Sequence, residues 1–258
     1  MNLRYACINM TLGKQKPRIT TNRSMIKRTV VEKGVDYAGE LSLQNVRDLF
    51  TILQWNNEHN IKCFRLSSDL FPWASEYGIE NSPYYLRIKT ILQACGNYAT
   101  DNGIRITSHP GPFNVLVSPR EHVVENTITD LELHGKVFDM LGLSRTPYNK
   151  LNIHCNGVYG DKLSAMDRFC KNFEKLSPAV QGRLTVENDD KASMYSVKDL
   201  MYIHKRIGIP IVFDYHHHQF CTGGLTEQEA LELAISTWPK GIKPIVHYSE
   251  SKRLHEGN

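Results

Sequence analysis

A chain of 258 residues suits one large α/β domain, and α/β barrels typically need ~250 residues in one piece. With 41% hydrophobic and 22% charged residues the composition is that of an ordinary globular protein, and a net charge of +4 is too small to indicate nucleic-acid binding by itself. The sequence shows no signal peptide, no bilayer-spanning stretch and no C-x-x-C pair among its six cysteines, so we expect an intracellular protein with free, mostly buried thiols.

Short apolar runs alternate with helix-like segments from one end of the chain to the other. The segment 11–28 is polar and basic and is predicted to be a long loop. The predicted strands are 3–8, 62–66, 104–109, 151–154, 184–187, 209–214 and 245–247. The predicted helices cover 43–57, a segment opened by Ser82-Pro83, and the segments 118–141, 161–176, 196–207 and 226–237. Two of these helices begin with capping boxes, Ser118-x-x-Glu121 and Thr226-x-x-Glu229.

Seven βα-like units in succession predict a (β/α)8 TIM barrel rather than an open sheet. Candidate ligand side chains follow nearly every strand, whereas a doubly wound sheet concentrates its ligands at one switch point. A Gly-rich phosphate loop is also missing after the first predicted strand. We therefore predict a single barrel domain over residues 1–258 in which the eighth βα unit is missing.

A metal-binding type of side chain stands at the end of five consecutive predicted strands. These side chains are His109, His154, Glu187, Asp214 (with His217 just beyond it) and His247. Because the carboxyl ends of parallel strands meet at one face of a barrel, we expect them to converge. Imidazole and carboxylate together bind zinc, manganese and other first-row divalent ions, and Glu187, in the middle of the set, is the natural bridge between two ions.

Simpler interpretations remain open for each feature. A single histidine at a strand end is often a surface group, and Glu187 and Asp214 could be structural ion-pair partners. The turn His109-Pro-Gly-Pro-Phe113 could present an aromatic ring at the rim of a cleft or could merely cover the strand ends. Basic side chains of the first loop could bind phosphates or could form an ordinary solvated face.

Ordered motifs along almost the whole chain resemble the UV damage endonuclease family. The matching stretches are Tyr5-x-Cys-x-Asn9, Thr21-Asn-Arg23, Phe64-Arg-x-Ser-Ser, Ser108-His-Pro-Gly111, Gly157-x-Tyr-Gly-x-Lys162, Glu187-Asn-Asp189, Asp214-x-x-His-His218 and Val246-His-Tyr-Ser249. The resemblance implies a metal-dependent barrel related to endonuclease IV-type repair enzymes and to sugar isomerases.

The resemblance also implies roles for individual residues. The implied metal ligands are His109, His154, Glu187, Asp214, His217 and His247, of which Glu187, His154 and Asp214 are the predicted catalytic residues. Tyr5 and Asn9 would line a lesion pocket, Pro112 and Phe113 would wedge into the duplex, and Asn22, Arg23 and Lys162 would contact DNA.

The implied activity is hydrolysis of the phosphodiester 5′ of UV photoproducts such as pyrimidine dimers, or of other distorting or abasic lesions, in double-stranded DNA. It would use up to three divalent ions, with manganese expected first and zinc, magnesium or cobalt as alternatives, and the protein would act as a monomer in the cytoplasm, nucleoid or nucleus.

Four positions depart from the family pattern. Glu76 stands where relatives commonly carry a histidine ligand and is a seventh candidate ligand, Pro112-Phe113 replaces a Gln-Tyr wedge, and Ile245 replaces a lysine. The chain also stops before the family's eighth strand with its glutamate ligand. Two other functions are weighed against the endonuclease: a sugar isomerase of the same barrel class and a lesion-binding protein that does not cut.

Overall fold

The structure is a computed structural model that describes residues 5–249. Its strands are β1 (Cys63–Leu66), β2 (Arg105–Ser108), β3 (Leu151–His154), β4 (Leu184–Glu187) and β5 (Ile211–Val212). Its helices are α1 (Lys27–Glu58), α2 (Ala74–Tyr77), α3 (Tyr85–Asp101), α4 (Glu121–Met140), α5 (Lys162–Phe173), α6 (Pro178–Gln181), α7 (Val197–Ile207), α8 (Tyr215–His218) and α9 (Glu227–Ser236). Strands and helices thus alternate along the chain, as expected for successive βα units.

The strands are hydrogen-bonded in the sequential order β1-β2-β3-β4-β5. Parallel pairing aligns Cys63 with Arg105 at the start of β1 and β2, and Glu187 with Val212 in β4 and β5. A sequential parallel order has no switch point, which is the topology of barrel-type α/β folds rather than of doubly wound sheets. The carboxyl ends of neighbouring strands therefore lie on the same edge of the sheet.

The chain divides into two compact units, of which unit 1 comprises Met1–Pro110 and Glu132–Leu151. Helix α1 contributes Val46, Leu49 and Leu53, at helical spacing, to the core of this unit, and all three are fully buried. Each such side chain contributes roughly 1.5–3 kcal/mol through its removal from water. In α3, a Cβ on Gly96 would lie 1.6 Å from the Leu141 carbonyl oxygen. Position 96 must therefore be glycine for the chain at Leu141 to pack this close to α3.

Unit 2 comprises Gly111–Leu131 and Asn152–Asn258. All four residues of β4 are buried, as are Leu200 and Ile203 of α7. A capping box between Ser196 and Asp199 starts α7, and Gly208 ends it in the left-handed conformation at φ 72°. These local signals determine where α7 begins and ends between β4 and β5, and the candidate site lies at the carboxyl ends of these two strands.

Most of the predicted elements are confirmed, and two predicted strands are wrong over the described residues. Residues 5–8 form no strand, and Leu3 lies outside the described residues; Tyr5 and Asn9 instead bond to each other and to the rest of unit 1 through their side chains. The predicted strand 245–247 is reduced to a single parallel bridge between His247 and Asp214. An apolar run without a neighbour along its length stays irregular, because a strand needs repeated backbone pairing.

Other predicted boundaries shift by several residues. Helix α1 is much longer than the predicted 43–57 and is kinked at Gly34, whereas β5 is shorter than the predicted 209–214. The six cysteines are free thiols, and five of them are buried, as expected. None of the helices in the described range 5–249 combines the length and apolar composition that a bilayer crossing requires.

Candidate metal centre

Three polar side chains of unit 2 lie at the carboxyl ends of consecutive strands. His154 and Glu187 are the last residues of β3 and β4, and Asp214 follows β5 by two residues. Asp214 also caps α8, where its side chain accepts a hydrogen bond from the His217 backbone N–H at 2.9 Å. The strand ends and the short helix together bring imidazoles and carboxylates to one edge of the sheet.

Glu187 is the centre of this group and is only 1% exposed. Its Oε1 accepts a hydrogen bond from His247 Nδ1 at 2.8 Å and lies 3.7 Å from His217 Nδ1, while Oε2 lies 3.8 Å from His154 Nε2. Asn152 of β3 donates its amide N–H to the same Oε2. One buried carboxylate therefore faces three imidazoles.

Asp214 adds a second carboxylate to the group. One candidate ligand atom from each of Glu187, Asp214 and His217 lies within 4.8 Å of the other two. His247 Nδ1 is 4.0 Å from Asp214 Oδ2, and the backbone bridge between these two residues sets that separation. The spacing among Glu187, Asp214 and His217 is short enough for one cation to contact all three side chains after small adjustments.

Asn188 and Asp189, the two residues after Glu187, form hydrogen bonds with the Asp214 backbone and with the rings of two histidines of the group. Asn188 donates from Nδ2 to the Asp214 carbonyl at 3.1 Å and accepts from the Asp214 N–H at 2.8 Å. The Asn188 carbonyl lies 2.9 Å from His217 Nδ1, and Asp189 Oδ1 lies 3.1 Å from His154 Nδ1. Asn188 is fully buried and Asp189 is 6% exposed.

The buried carboxylates shift the pKa values of their neighbours. Burial lowers the pKa of His154, but the hydrogen bond to Asp189 and the charges of Glu187, Asp189 and Asp214 outweigh it, so the pKa is raised above 6.5. The pKa of Asp214 is also raised, chiefly by burial and further by the charge of Glu187. The negative charges of Glu187, Asp189 and Asp214 thus favour the protonated imidazole of His154, while burial disfavours the ionised form of Asp214.

The chemistry of the donors fits a divalent ion. Two buried carboxylates with surrounding imidazoles form a mixed oxygen and nitrogen set, which suits manganese, zinc and related ions. Among residues 5–249, no cysteine ends a strand and the group around Glu187 contains only imidazoles and carboxylates. The group of Glu187, Asp214 and His217, with His154 and His247 beside Glu187, is therefore a candidate metal centre.

Two further predicted ligands belong to unit 1. His109 directly follows β2, and its Nδ1 lies 3.3 Å from the Pro110 carbonyl. Glu76 lies in α2 with 54% of its side chain exposed, 3.8 Å from the Lys27 ammonium. Their roles as ligands stay predictions.

Four predicted DNA contacts in unit 1 are already bonded to the protein. Tyr5 donates to Asn56 and accepts from Asn9, and burial raises the pKa of the Tyr5 phenol. Asn22 donates to Ser67 Oγ at 2.7 Å. Arg23 pairs with Asp48 at 2.7 Å and is 23% exposed. These contacts order the side chains, and their roles toward DNA stay predictions.

The predicted wedge and the predicted Lys162 contact differ in exposure. Phe113 is 64% exposed, and its ring lies across Gly111, where a Cβ would come within 2.3 Å of the ring. Asn156, at φ 69°, donates from Nδ2 to the Pro112 carbonyl at 3.0 Å and so ties down this turn. Lys162 instead pairs with Asp199 at 3.0 Å. The turn therefore presents an aromatic ring to solvent, while the Lys162 ammonium already has a carboxylate partner within the protein.

Asn152, Asn188 and Asp189 were not among the predicted site residues. Asn188 and Asp189 do belong to the motif that begins with Glu187, so their position next to the central carboxylate was a usable signal. Asn152 lies in the middle of β3, where its side chain was indistinguishable in sequence from that of an ordinary strand residue. Only the alignment of β3 beside β4 shows that it reaches Glu187.

Comparison with known proteins gives matches over nearly the whole chain. The model of the family described as UV-endonuclease UvdE matches residues 1–257. A UV-damage endonuclease of Schizosaccharomyces pombe is 37% identical over 96% of this chain and 42% of its own length, and one of Neurospora crassa is 34% identical over 96% of this chain and 43% of its own length. The chain thus spans about two fifths of the length of these two relatives.

Solved structures give the same result for the fold. A crystal structure of SacUVDE, 33% identical, superposes with a TM-score of 0.86 over 98% of this chain and 81% of that chain. A D-psicose 3-epimerase of Clostridium cellulolyticum matches 78% of this chain and 67% of its own at a TM-score of 0.54 and 14% identity, a likeness that concerns the fold only. The predicted fold class, an α/β fold of TIM-barrel type, is confirmed.

Proposed function

Since the chain belongs to the UV-endonuclease UvdE family, we propose that it is a DNA repair endonuclease that hydrolyses the phosphodiester 5′ of a UV photoproduct. The relatives from Schizosaccharomyces pombe and Neurospora crassa are named UV-damage endonucleases, and more than half of the length of each lies outside the matched region. The proposal therefore has to be supported by the chemistry of the residues in this chain.

The observation that carries the proposal is the buried Glu187 carboxylate with Asp214 and three imidazoles around it. An isolated buried charge is costly, so a protein retains such a group where it is paired or binds a metal. The nearby histidines supply nitrogen donors, and Asp214 supplies a second anionic oxygen. Such a site suits hydrolysis of an anionic diester, whose reaction requires neutralisation of developing negative charge.

Divalent ions bound here, up to three and manganese first, would act as Lewis acids on phosphodiester oxygens and would lower the pKa of a bound water. Glu187 is oriented for ligation by Asn152, whose own amide oxygen accepts from Thr185 Oγ1 at 2.7 Å. Asp214 is held by its cap on α8 and by the bridge to His247. His109 and Glu76 are included in the proposed ligand set because of their sequence motifs.

The proposed substrate is double-stranded DNA that contains a lesion. A photoproduct stacks poorly, so its extrusion costs less than the few kcal/mol that a normal base requires. The exposed ring of Phe113 offers an aromatic face that could stack on the bases beside the extruded lesion. The ordered side chains of Tyr5, Asn9, Asn22 and Arg23 offer polar contacts to the DNA. We propose that the protein acts as a monomer inside the cell, where the DNA is.

A nicking assay tests the proposal directly. Supercoiled plasmid, either UV-irradiated or not, is incubated with chelator-treated protein with and without added manganese. We expect nicks only in irradiated plasmid with manganese, carrying 3′-hydroxyl and 5′-phosphate ends. Binding to the irradiated plasmid without nicking would instead support a lesion-binding protein, and turnover of a ketose by the same preparation would support an isomerase.

A matched pair of variants shows whether the activity belongs to the candidate site. Glu187→Gln removes the charge of the central carboxylate while keeping its shape, and Glu174→Gln removes one charge from an exposed position of the same unit. We expect the first variant to lose nicking and the second to retain it. Equal nicking by both variants would assign the activity to another site.

A further inference from the structure

The three consecutive residues Glu187, Asn188 and Asp189 contact every other member of the candidate centre in unit 2. Glu187 faces His154, His217 and His247, Asn188 binds Asp214 and His217, and Asp189 binds His154. We propose that Asn188 and Asp189 are positioning residues, which aim the imidazole lone pairs and the Asp214 carboxylate at a metal held by Glu187. This inference rests on the proposed metal centre and names the residues that shape it.

Asn188 extends the pairing between β4 and β5 past the point where the strands stop. The strand ladder ends with Glu187 opposite Val212. One residue later, the Asn188 carboxamide both donates to and accepts from the backbone of Asp214, at 3.1 and 2.8 Å. A carboxamide carries one donor group and one acceptor group, as a peptide does, so it replaces a backbone partner there. These two hydrogen bonds hold the Asp214 backbone in place and thereby set the position from which its carboxylate side chain extends.

The backbone of Asn188 selects the tautomer of His217. Its carbonyl oxygen lies 2.9 Å from His217 Nδ1 and can only accept, so Nδ1 carries the hydrogen. In the neutral ring the lone pair is then on Nε2. Because the side chain of the same residue clamps Asp214, one residue places two members of the ligand group relative to each other.

Asp189 does the same for His154. Its Oδ1 lies 3.1 Å from His154 Nδ1, and its own position is secured by the Tyr195 backbone, which donates to Oδ2 at 3.3 Å and accepts from the Asp189 N–H at 2.9 Å. An ionised carboxylate only accepts, so Nδ1 is protonated, and in the neutral ring the lone pair is on Nε2, which lies 3.8 Å from Glu187. A carboxylate behind a ligating imidazole is a recurrent way to orient metal-binding histidines.

The simpler explanation is that both residues only stabilise the strand ends. Buried side chain to backbone hydrogen bonds are common, and Asn172 of α5 makes one to the Leu116 carbonyl at 2.8 Å. Asn172 therefore serves as the control: it is a buried asparagine of the same unit, and no contact links it to Glu187, His154, Asp214 or His217 in the described residues. Loss of either asparagine should lower the unfolding temperature, but only Asn188 should affect metal binding.

The experiment measures manganese affinity and imidazole tautomers in the full chain. Calorimetric titration of chelator-treated protein with Mn²⁺ should show about tenfold to a hundredfold weaker binding for Asn188→Ala and Asp189→Ala, and unchanged binding for Asn172→Ala. Asp189→Asn keeps one acceptor oxygen, which can serve His154 or Tyr195 but not both, so its affinity should lie between Asp189→Ala and the unsubstituted protein. Unchanged affinity in both Asn188→Ala and Asp189→Ala would overturn the inference.

Nitrogen-15 chemical shifts of the rings, recorded on metal-free protein at a pH where the imidazoles are neutral, supply a readout that needs neither metal nor DNA. We expect His154 and His217 to be protonated on Nδ1, and His154 to lose that preference in Asp189→Ala. Protonation on Nε2 in the unsubstituted protein would overturn the inference even if nicking is observed. If the unsubstituted protein takes up no manganese, the proposed metal centre fails, and the tautomers still decide whether the positioning is real.

Discussion

Unit 2 contains two regions that serve the proposed function and differ in how they are held. In the candidate metal centre, Glu187 is 1% exposed and Asp214 is bonded through its side chain, its N–H and its carbonyl. In the turn 111–114, Phe113 is 64% exposed, and the hydrogen bonds that hold the turn come from Asn114 and Asn156 rather than from the ring.

The difference follows from the two tasks. Ligation tolerates errors of only a few tenths of an ångström, so each ligand must be oriented by neighbours that are themselves fixed. An aromatic ring that stacks on a base needs only a flat, accessible face, and stacking is tolerant of sequence. We therefore expect substitutions in the candidate metal centre to abolish nicking. Substitutions in the turn should instead reduce discrimination between damaged and intact DNA.

The largest effect is expected for Glu187→Gln. The central carboxylate loses its charge, while its size and its acceptor for Asn152 remain, so nicking should fall by more than about a hundredfold, beyond the usual effect of residues that merely support a ligand. Nicking rates on irradiated plasmid and manganese content per chain measure the loss. Full manganese occupancy with normal nicking would remove Glu187 from the centre.

A smaller loss is expected for His217→Ala. His217 is more exposed than Glu187, at 23% against 2% of the side chain, and it contributes one nitrogen to the group rather than a central carboxylate. At saturating manganese the variant should nick faster than Glu187→Gln, with a weaker apparent affinity for the ion. Equal residual rates for the two variants would show that Glu187 has no role beyond that of a peripheral ligand.

The turn should respond differently, and Phe113→Ala tests it. Base–aromatic stacking is worth ~1–3 kcal/mol, so affinity for a photoproduct-containing duplex should fall by about fivefold to 150-fold while manganese content stays unchanged. Phe113→Tyr keeps the flat ring and should bind normally, whereas Phe113→Leu keeps apolar surface without the ring and should resemble alanine. If leucine binds as well as phenylalanine, stacking is excluded and only apolar contact remains.

The smallest effect is expected for Asn156→Gly. Glycine tolerates the left-handed backbone at φ 69°, so this change removes mainly the bonds to the Pro112 and Asn114 carbonyls. A looser turn must be ordered on binding, at roughly 0.5–1.5 kcal/mol, which corresponds to about a twofold to twelvefold loss of lesion affinity. A loss as large as that of Phe113→Ala would mean that Asn156 itself contacts DNA.

The elements around the centre were largely predictable because their signals are local. Each of these signals lies within a few residues of the element that it specifies. Examples are the four-residue apolar run that ends at Glu187, the capping box at Thr226 and the helical spacing of apolar residues around Leu49. The predicted strands 3–8 and 245–247 were wrong over the described residues because strand formation depends on a neighbour that a local pattern cannot reveal. The predicted span of α1 is too short because none of its residues before Ala38 is buried and the kink at Gly34 interrupts the helical pattern.

By itself the sequence determined the kinds of candidate ligand and their order: a histidine, a glutamate and an aspartate after successive strands. The alternation of strand and helix and the residue at each strand end can be read along the chain. Tertiary structure alone decided that Asn152 reaches the Glu187 carboxylate from β3, that Asn188 binds the backbone of Asp214, and that Asp189 contacts His154. The physical reason is that these contacts join residues on different strands, and their distances depend on strand register and on hydrogen bonds that exist only once the strands are paired.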